Sequence, residues 1–235
     1  MLDIGTEKTT REEMRGIPHH LIDIQDPREP YSAGDFVRDA DRLIADIRAR
    51  GKRPILAGGT HFYFDALLYG LPAESPQLPQ LRTALDERSA RSLFEELAAR
   101  DPRRAERIDP SNKRRLIRAL EILETHGHVP ERQRGEPQYA VEWIVIDPER
   151  DELRDRITAR LQRALANGLI EETARVRDYV GDARLDELGL EYRIVGEHLR
   201  GERSEESLLP TLSTKVWHYA RHQKAWLRRL APQSA

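Results

Sequence analysis

The segment ILAGGTHFYF, residues 55–64, places two glycines and a threonine between two apolar runs. Ile55 and Leu56 are typical of the end of a buried strand, residues 58–60 of a tight turn, and His61 of a helix start. A strand that passes through glycines into a helix leaves main-chain N–H groups pointing outward, where they can bind phosphate. Because glycine turns also serve close packing, this turn alone is a weak signal for a phosphate site.

The elements around this turn alternate between helix and strand. Ser32 followed by Asp35 forms an acidic variant of the capping box, and the helix that it opens ends at Gly51. A short strand then leads into the glycine turn, and a second buried strand is predicted over residues 139–148. Helix, strand, turn and helix in series predict an α/β fold with a parallel sheet.

Residues 71–80, LPAESPQLPQ, interrupt this alternation with three prolines, which end a helix and stiffen a connector. The pattern that follows is helical, and no strand pattern returns for the next sixty or so residues. We therefore expect an α/β core with C-terminal helices, formed by residues 1–75 and 139–235. Residues 76–138 are predicted to form a helical insertion in that core.

The composition excludes several classes of protein. The 235 residues contain no cysteine, which rules out disulfides and thiolate metal sites. There is no apolar run of about 20 residues and no signal-peptide pattern, so we expect a cytoplasmic protein without a membrane span. The adjacent His19 and His20 point to opposite sides of an extended chain without further ligands, so no metal site is predicted from them.

Basic residues are concentrated in two stretches, although the formal net charge is only -2. One stretch spans residues 100–118, and the other, residues 215–229, contains five lysines and arginines and no acidic residue. Local basic surfaces on a near-neutral protein are typical of selective polyanion binding. A solvated helix face is the alternative explanation for each stretch.

Six motifs come in the order and spacing of one family. They are DIGTEK (3–8), PHHLID (18–23), YSAGDF (31–36), GKRPILAGGTHFYFDALLYGL (51–71), NKRRLIRALEI (112–122) and ARHQKAWLRR (220–229). On these motifs the chain resembles the bacterial tRNA dimethylallyltransferases, also called tRNA isopentenyltransferases, over nearly its whole length. The resemblance implies transfer of a dimethylallyl group from dimethylallyl diphosphate to N6 of the adenosine 3′ of the anticodon in tRNA.

The same resemblance implies a P-loop NTPase-like, nucleotide-binding core, an inserted helical domain that binds the tRNA anticodon stem-loop, and Mg²⁺ as cofactor. We expect a monomer. The family places a glycine-rich P-loop and an Asp-Ser segment before its DIGT motif, whereas this sequence begins two residues before Asp3. We therefore expect an N-terminally truncated core, with the general base and the Mg²⁺ ligands in the segment that the sequence lacks.

Five residues match positions near the reacting groups of the family. Arg156 and Arg160 stand one helical turn apart and match an arginine pair whose second member lies in the active site. A guanidinium suits the growing charge of a leaving diphosphate. Thr60 matches a threonine near the substrate RNA, and Gly58 and Gly59 are the predicted phosphate-binding residues. An exposed arginine pair and a helix N-cap at Thr60 are the structural alternatives.

A larger set of residues matches the tRNA contacts of the family. Arg82 lies at the start of the insertion. Residues 114–118 are predicted to contact the anticodon loop, and residues 221–228 belong to the terminal helix. The predicted tRNA-binding residues are Arg82, Arg114, Arg115, Leu116, Ile117, Arg118, Arg221, His222, Gln223, Lys224, Trp226 and Arg228. Trp226 also lies on an apolar stripe, which favours a place in the core over stacking on a base.

Two other functions stay open on the sequence alone. A chain without its P-loop could be a non-catalytic RNA-binding remnant, whose affinity for RNA falls steeply as salt rises. Alternatively, the prenyl acceptor could be a free adenine nucleotide. The helical insertion with its arginines argues against that acceptor, because a nucleotide needs no such surface.

Overall fold

The computed structural model describes residues 1–71, 78–131 and 135–230 of the chain. Residues 72–77 are not among them, so the proline-containing connector predicted over residues 71–80 lies mostly outside the described residues. No helix in the described ranges is long and apolar enough to cross a membrane.

The chain divides into two compact units, which are described separately. Unit 1 comprises Met1–Leu67 and Tyr139–Ala235, and unit 2 comprises Leu68–Gln138. The described residues contain α1 (Ala33–Ala49), α2 (His61–Tyr69), α3 (Pro79–Asp86), α4 (Ala90–Arg100), α5 (Pro102–Ala105), α6 (Lys113–His126), α7 (Arg150–Ala166), α8 (Leu169–Val180), α9 (Asp182–Leu185), α10 (Leu190–Leu199), a 3₁₀ turn (Glu205–Ser207) and α11 (Leu208–Leu230).

The predicted α/β class, a P-loop NTPase-like parallel-sheet core, is wrong for the described residues, which form no β-strand. The two apolar segments that predicted strands are present but lie open to solvent: Ile55 is 83% exposed, Ile144 85% and Ile146 81%. An apolar run becomes a buried strand only when neighbouring strands pair with its N–H and C=O groups. In the described chain these segments find no such partner, and an ion pair between Arg53 and Glu142, 3.3 Å long, is one contact that joins them.

Helix ends follow the capping signals closely. Ser32 and Asp35 form the predicted capping box at the start of α1, where each side chain accepts a hydrogen bond from the other residue's main-chain N–H. Asn112 caps α6 through the N–H of Arg115, and Gly127 ends that helix in the left-handed conformation. Local side-chain chemistry decides these boundaries, which explains why the sequence predicts them.

The helical stretch after the proline-containing connector is divided in two. It contains α3 and α4. The break is made at Ser89, whose hydroxyl accepts a hydrogen bond from the N–H of Ser92 and so starts a new helix. A serine within an otherwise helical run was therefore a cap signal that the apolar pattern concealed.

The main core of unit 1 lies among α7, α10 and α11. Apolar side chains from these helices and from the start of α8 are buried together: Ile157, Leu161, Leu169, Ile194, Val195, Leu208, Leu212 and Val216. A second, smaller cluster joins Val176, Leu185 and Tyr192 beside it. This packing holds α7 and α11 side by side and thereby places their polar faces at a common cavity.

The core of unit 2 is formed chiefly by α4 and α6. The fully buried leucines there include Leu93, Leu97, Leu116, Leu120 and Leu123. Asp101 is buried at the edge of this core, where its carboxylate accepts hydrogen bonds from the N–H groups of Arg104 (3.0 Å) and Val129 (2.9 Å). A buried carboxylate satisfied by main-chain donors ties the α5 turn to the segment after α6.

Candidate functional site

A cavity of about 530 Å³ opens in unit 1 between α7, α10 and α11. Its lining combines apolar side chains with two arginines, one carboxylate and one amide. The lining residues are Leu153, Arg156, Ile157, Arg160, Gly189, Leu190, Glu191, Val216, Tyr219, Ala220 and Gln223. Three residues predicted from the sequence, Arg156, Arg160 and Gln223, are therefore brought together at one place.

Arg160 is held between two carboxylates. Its Nη1 donates to Glu7 Oε2 at 3.1 Å and its Nη2 donates to Glu191 Oε1 at 3.0 Å. The side chain keeps about a third of its surface exposed. It is therefore accessible from solvent while the two carboxylates hold it in place. A guanidinium with two partners on different elements has a defined orientation, which is the condition for directed binding of an oxyanion.

Arg156 lies one turn earlier on α7 and is more exposed than Arg160. Its Nη2 donates to Glu152 Oε1 at 2.6 Å, an ion pair within the helix. Such exposed pairs contribute little to stability and exchange easily with other anions. The helical spacing thus places two guanidinium groups of different exposure at the same cavity.

The glycine turn is attached to α11 by Gln223. The side-chain Nε2 of Gln223 donates to the carbonyl oxygen of Gly59 at 2.8 Å. A Cβ on Gly59 would overlap that amide nitrogen, so the amide keeps this position only while residue 59 is glycine. Because Gln223 also lines the cavity, the turn and the arginine pair are joined through one side chain.

The outward N–H groups expected of this turn are partly used within it. The N–H of His61 donates to Gly59 O at 3.0 Å, and the N–H of Tyr63 donates to Thr60 O at 2.9 Å. Thr60 and Gly58 are exposed. Burial lowers the pKa of His61, the first residue of α2, below its ordinary value.

The predicted tRNA contacts on α11 differ in their surroundings. Arg221, His222 and Arg228 are exposed. The expectation that Trp226 lies in the core is wrong, because this residue is 39% exposed and its ring is accessible to solvent. Lys224 forms an ion pair with Asp147 and donates to the carbonyl of Pro148 at 3.1 Å. This lysine joins α11 to the segment before α7.

In unit 2, the predicted tRNA contacts divide between surface and core. Arg114 and Arg115 are exposed in the first turn of α6, whereas Leu116 and Ile117 are packed in the core of the unit. The buried carboxylate of Glu121 lies 3.4 Å from both Arg82 Nε and Arg118 Nη1. Its burial was not apparent from the sequence, where a glutamate on a charged helix is typical of the surface.

The sequence reasoning missed Glu7, Glu191 and Glu172. Glu7 belongs to the DIGTEK motif and Glu191 lies outside the six motifs, yet the two carboxylates hold Arg160 from two sides. Glu172 is 2% exposed although it lies in the charged run of α8. Its position four residues before the buried Val176 on α8 was the one signal that placed it on the apolar face.

The described residues contain no group of three or more histidine, aspartate or glutamate side chains that could hold a metal ion. His19 is engaged through Nδ1 with the carbonyl of Ile17 at 2.9 Å. The Mg²⁺ expected from the resemblance therefore has no fitting ligand set in this part of the chain, and no chemical step is assigned to it.

An arginine pair beside a glycine turn is an arrangement typical of proteins that bind phosphate groups. Comparison with known proteins gives the family. The family model described as IPP transferase matches residues 1–230, and the chain belongs to this family of enzymes.

The relatives of the chain are consistent in name. A tRNA dimethylallyltransferase from Thermomicrobium roseum is 44% identical over 238 residues, which cover 97% of this chain and 72% of that protein. A second, from Anaeromyxobacter dehalogenans, is 40% identical and is covered over 79% of its length.

Solved structures show the same likeness in three dimensions. The full-length tRNA isopentenylpyrophosphate transferase from Bacillus halodurans superposes with a TM-score of 0.69 at 35% identity, with 97% of this chain and 74% of that one covered. A eukaryotic dimethylallyltransferase acting on tRNA gives a TM-score of 0.78 at 26% identity, with 97% of this chain and 60% of that one covered.

Proposed function

We propose that this chain acts as a tRNA dimethylallyltransferase, which moves a dimethylallyl group from dimethylallyl diphosphate to N6 of the adenosine 3′ of the anticodon. Family membership supports this function, as do relatives named for the reaction. The observation that carries the proposal is the cavity in which Arg156 and Arg160 face Gln223, the residue that holds the glycine turn.

The two arginines serve the leaving group. During transfer the allylic C–O bond of the donor breaks, its electron pair stays on the diphosphate, an N–C bond forms at N6, and N6 loses one proton. Negative charge therefore grows on the diphosphate as the transition state is approached. Positioned guanidinium donors stabilise that growing charge more than they stabilise the ground state, which lowers the barrier.

Arg160 can take this role while its carboxylate partners stay in place. A guanidinium carries five N–H donors, and the bonds to Glu7 and Glu191 use one Nη donor each. The remaining donors can meet phosphate oxygens in the cavity. Arg156, which is paired with Glu152 of its own helix and is more exposed, supplies the second positive charge.

The acceptor RNA is proposed to contact the basic surface of α6. Lys113, Arg114 and Arg115 occupy the first turn of that helix, where the helix dipole already presents positive charge and disfavours cations. Phosphate groups of an RNA backbone would relieve this repulsion, because they bind both the side chains and the helix end. On α11, the exposed Arg221 and Arg228 extend the proposed contact set.

The remaining expectations from the resemblance are kept as part of the proposal. Dimethylallyl diphosphate is the donor, Mg²⁺ accompanies its diphosphate, and the protein works as a monomer in the cytoplasm.

The test is a transfer assay with the purified chain, dimethylallyl diphosphate and unmodified tRNA, followed by mass spectrometry of the digested nucleosides. We expect one dimethylallyl group on the adenosine 3′ of the anticodon and no transfer to AMP offered at equal concentration. Transfer to AMP but not to tRNA would move the function to a free-nucleotide acceptor. Binding of tRNA without any transfer would instead favour a non-catalytic RNA-binding protein.

A further inference from the structure

The carboxylate of Glu172 lies at the centre of an unusual set of hydrogen bonds. It accepts from three successive main-chain N–H groups, those of Asp3 (3.1 Å to Oε2), Ile4 (2.8 Å to Oε2) and Gly5 (2.9 Å to Oε1). It also accepts from the hydroxyl of Tyr192 at 2.8 Å. Successive N–H groups turned toward one point form a nest that binds an anion, and here the anion is a side chain of α8.

The site is closed around this carboxylate. Glu172 is 2% exposed and Tyr192 is 1% exposed. The Tyr192 ring lies so near Gly5 that a Cβ there would come within 2.6 Å of Cζ. Burial, and then donation to Glu172, raise the pKa of the Tyr192 hydroxyl, so it remains a donor. A buried charge is tolerated only when its hydrogen-bonding capacity is filled, and four donors achieve that here.

The DIGTEK segment, residues 3–8, connects the main-chain groups that bind Glu172 to Glu7. Within it, Glu7 N–H donates to Ile4 O at 3.2 Å and Lys8 N–H donates to Asp3 O at 3.0 Å, so the segment folds back on itself. Glu7 has a φ of +49°, a left-handed conformation that costs a non-glycine residue free energy. Such a conformation persists only where the surrounding contacts impose it.

Glu7 then bonds to Arg160, and the second partner of Arg160, Glu191, directly precedes Tyr192 on α10. Both carboxylates that orient the guanidinium are therefore tied to the same buried group. Glu7 is tied to Glu172 through the DIGTEK segment, and Glu191 is tied to it through Tyr192, the next residue on α10.

We infer that Glu172 is a positioning residue for the diphosphate-binding arginine: by holding the DIGTEK segment and Tyr192 together, it sets the orientation of Arg160 in the cavity. The inference rests on the proposed function of that cavity. Glu172 itself is buried beneath the segment and touches no substrate. Its effect on the reaction passes through Glu7 and Glu191.

The test uses inorganic pyrophosphate as the probe, with binding measured by calorimetry on the whole chain. Glu172→Gln removes the charge while keeping the shape, and Glu171→Gln, on the exposed neighbour in the same turn, is the matched control. We expect Glu172→Gln to weaken pyrophosphate binding about tenfold, the usual effect of disrupting hydrogen bonds to a charged group. The control variant should bind like the wild-type protein.

Two further measurements separate positioning from general loss of structure. In an Arg160→Ala background, Glu172→Gln should have no additional effect on pyrophosphate affinity, because the group through which it acts is gone. Hydrogen exchange at the amides of residues 3–5 should accelerate in Glu172→Gln. Tyr192→Phe, which removes one donor and keeps the ring, should give a smaller loss of affinity in the same direction.

The outcomes are distinguishable. A wild-type chain that binds no pyrophosphate would overturn the proposed function of the cavity and this inference together. Normal wild-type binding with unchanged affinity in Glu172→Gln would overturn the positioning role alone. An equal loss of affinity in the presence and absence of Arg160 would also overturn it, because the effect would then not pass through that arginine.

Discussion

The side-chain amide of Gln223 donates a hydrogen bond to the carbonyl oxygen of Gly59, 164 positions away in the sequence. This contact joins the glycine turn to α11 through a side chain that also lines the cavity. The two residues come from motifs whose predicted roles were separate, one for phosphate and one for tRNA. Because of this contact, a substitution at either residue is expected to alter the hydrogen bonding of the other.

The first prediction concerns this contact. Gly59→Ala should displace the Gln223 amide and cost about 1 kcal/mol of unfolding free energy, the net value of one hydrogen bond. Gln223→Ala should cost a similar amount. Because both changes remove the same bond, the double variant should be little worse than either single one, as measured by chemical denaturation in a double-mutant cycle. Strictly additive losses would show that the two residues are independent.

The second prediction concerns the arginines of the cavity. Arg160→Ala should lower kcat for prenyl transfer about 10²- to 10³-fold, the effect of removing one oriented donor to a developing oxyanion. Arg160→Lys should not restore the rate, because an ammonium cannot replace a fork between two carboxylates. Arg163→Ala, an exposed arginine on the same helix outside the cavity lining, is the control. Equal effects of the Arg160 and Arg163 changes would contradict the assignment.

The third prediction concerns the basic turn of α6. Arg115→Gln should weaken tRNA binding and lower the slope of log affinity against log salt by about 1, the signature of one lost phosphate contact. The matched control is Arg91→Gln, an exposed arginine of α4 that is paired with Glu95. Fluorescence anisotropy across a salt series measures both quantities. An unchanged slope for Arg115→Gln would remove this turn from the RNA surface.

The fourth prediction concerns acid stability at the start of α1. Hydrogen bonds from the Ser32 hydroxyl and N–H, together with Arg38, lower the pKa of Asp35 to about 2. A lowered folded-state pKa stabilises the fold above the unfolded pKa of about 3.9, and this contribution is lost as pH falls toward the folded value. Between about pH 4 and 2, Asp35→Asn should therefore lose less helix signal on acidification than the wild-type chain, measured by circular dichroism relative to each protein's own value at pH 7. Parallel acid curves for the two proteins would argue that the cap carries no pH dependence.

The fifth prediction concerns the apolar segments that form no sheet. Because Ile146 is 81% exposed, Ile146→Lys should change the unfolding free energy by less than about 0.5 kcal/mol. The same change should reduce self-association seen by light scattering, since it interrupts an exposed apolar run. A loss of several kcal/mol, as for a buried isoleucine, would mean that this side chain is covered.

Signals confined to one stretch of sequence were read correctly. The capping box predicted at Ser32 depends only on neighbours within one turn, and it is present. The cap at Asn112 and the end of α6 at Gly127 are signals of the same local kind. The spacing of Arg156 and Arg160 likewise placed both on one face of α7. The strand predicted just before the glycine turn and the strand predicted over residues 139–148 could not be judged in this way, because a strand is defined by a partner strand that the run itself does not contain.

The sequence by itself determined the family of the protein, the ends of several helices and the residue types available for binding phosphate. Tertiary structure alone decided which of those residues meet. It brought Gln223 to Gly59, set Glu7 and Glu191 on either side of Arg160, and buried Glu172 under three main-chain N–H groups. The physical reason is that helix caps act over one turn of chain, whereas the orientation of a charged group depends on partners that only packing brings within hydrogen-bonding distance.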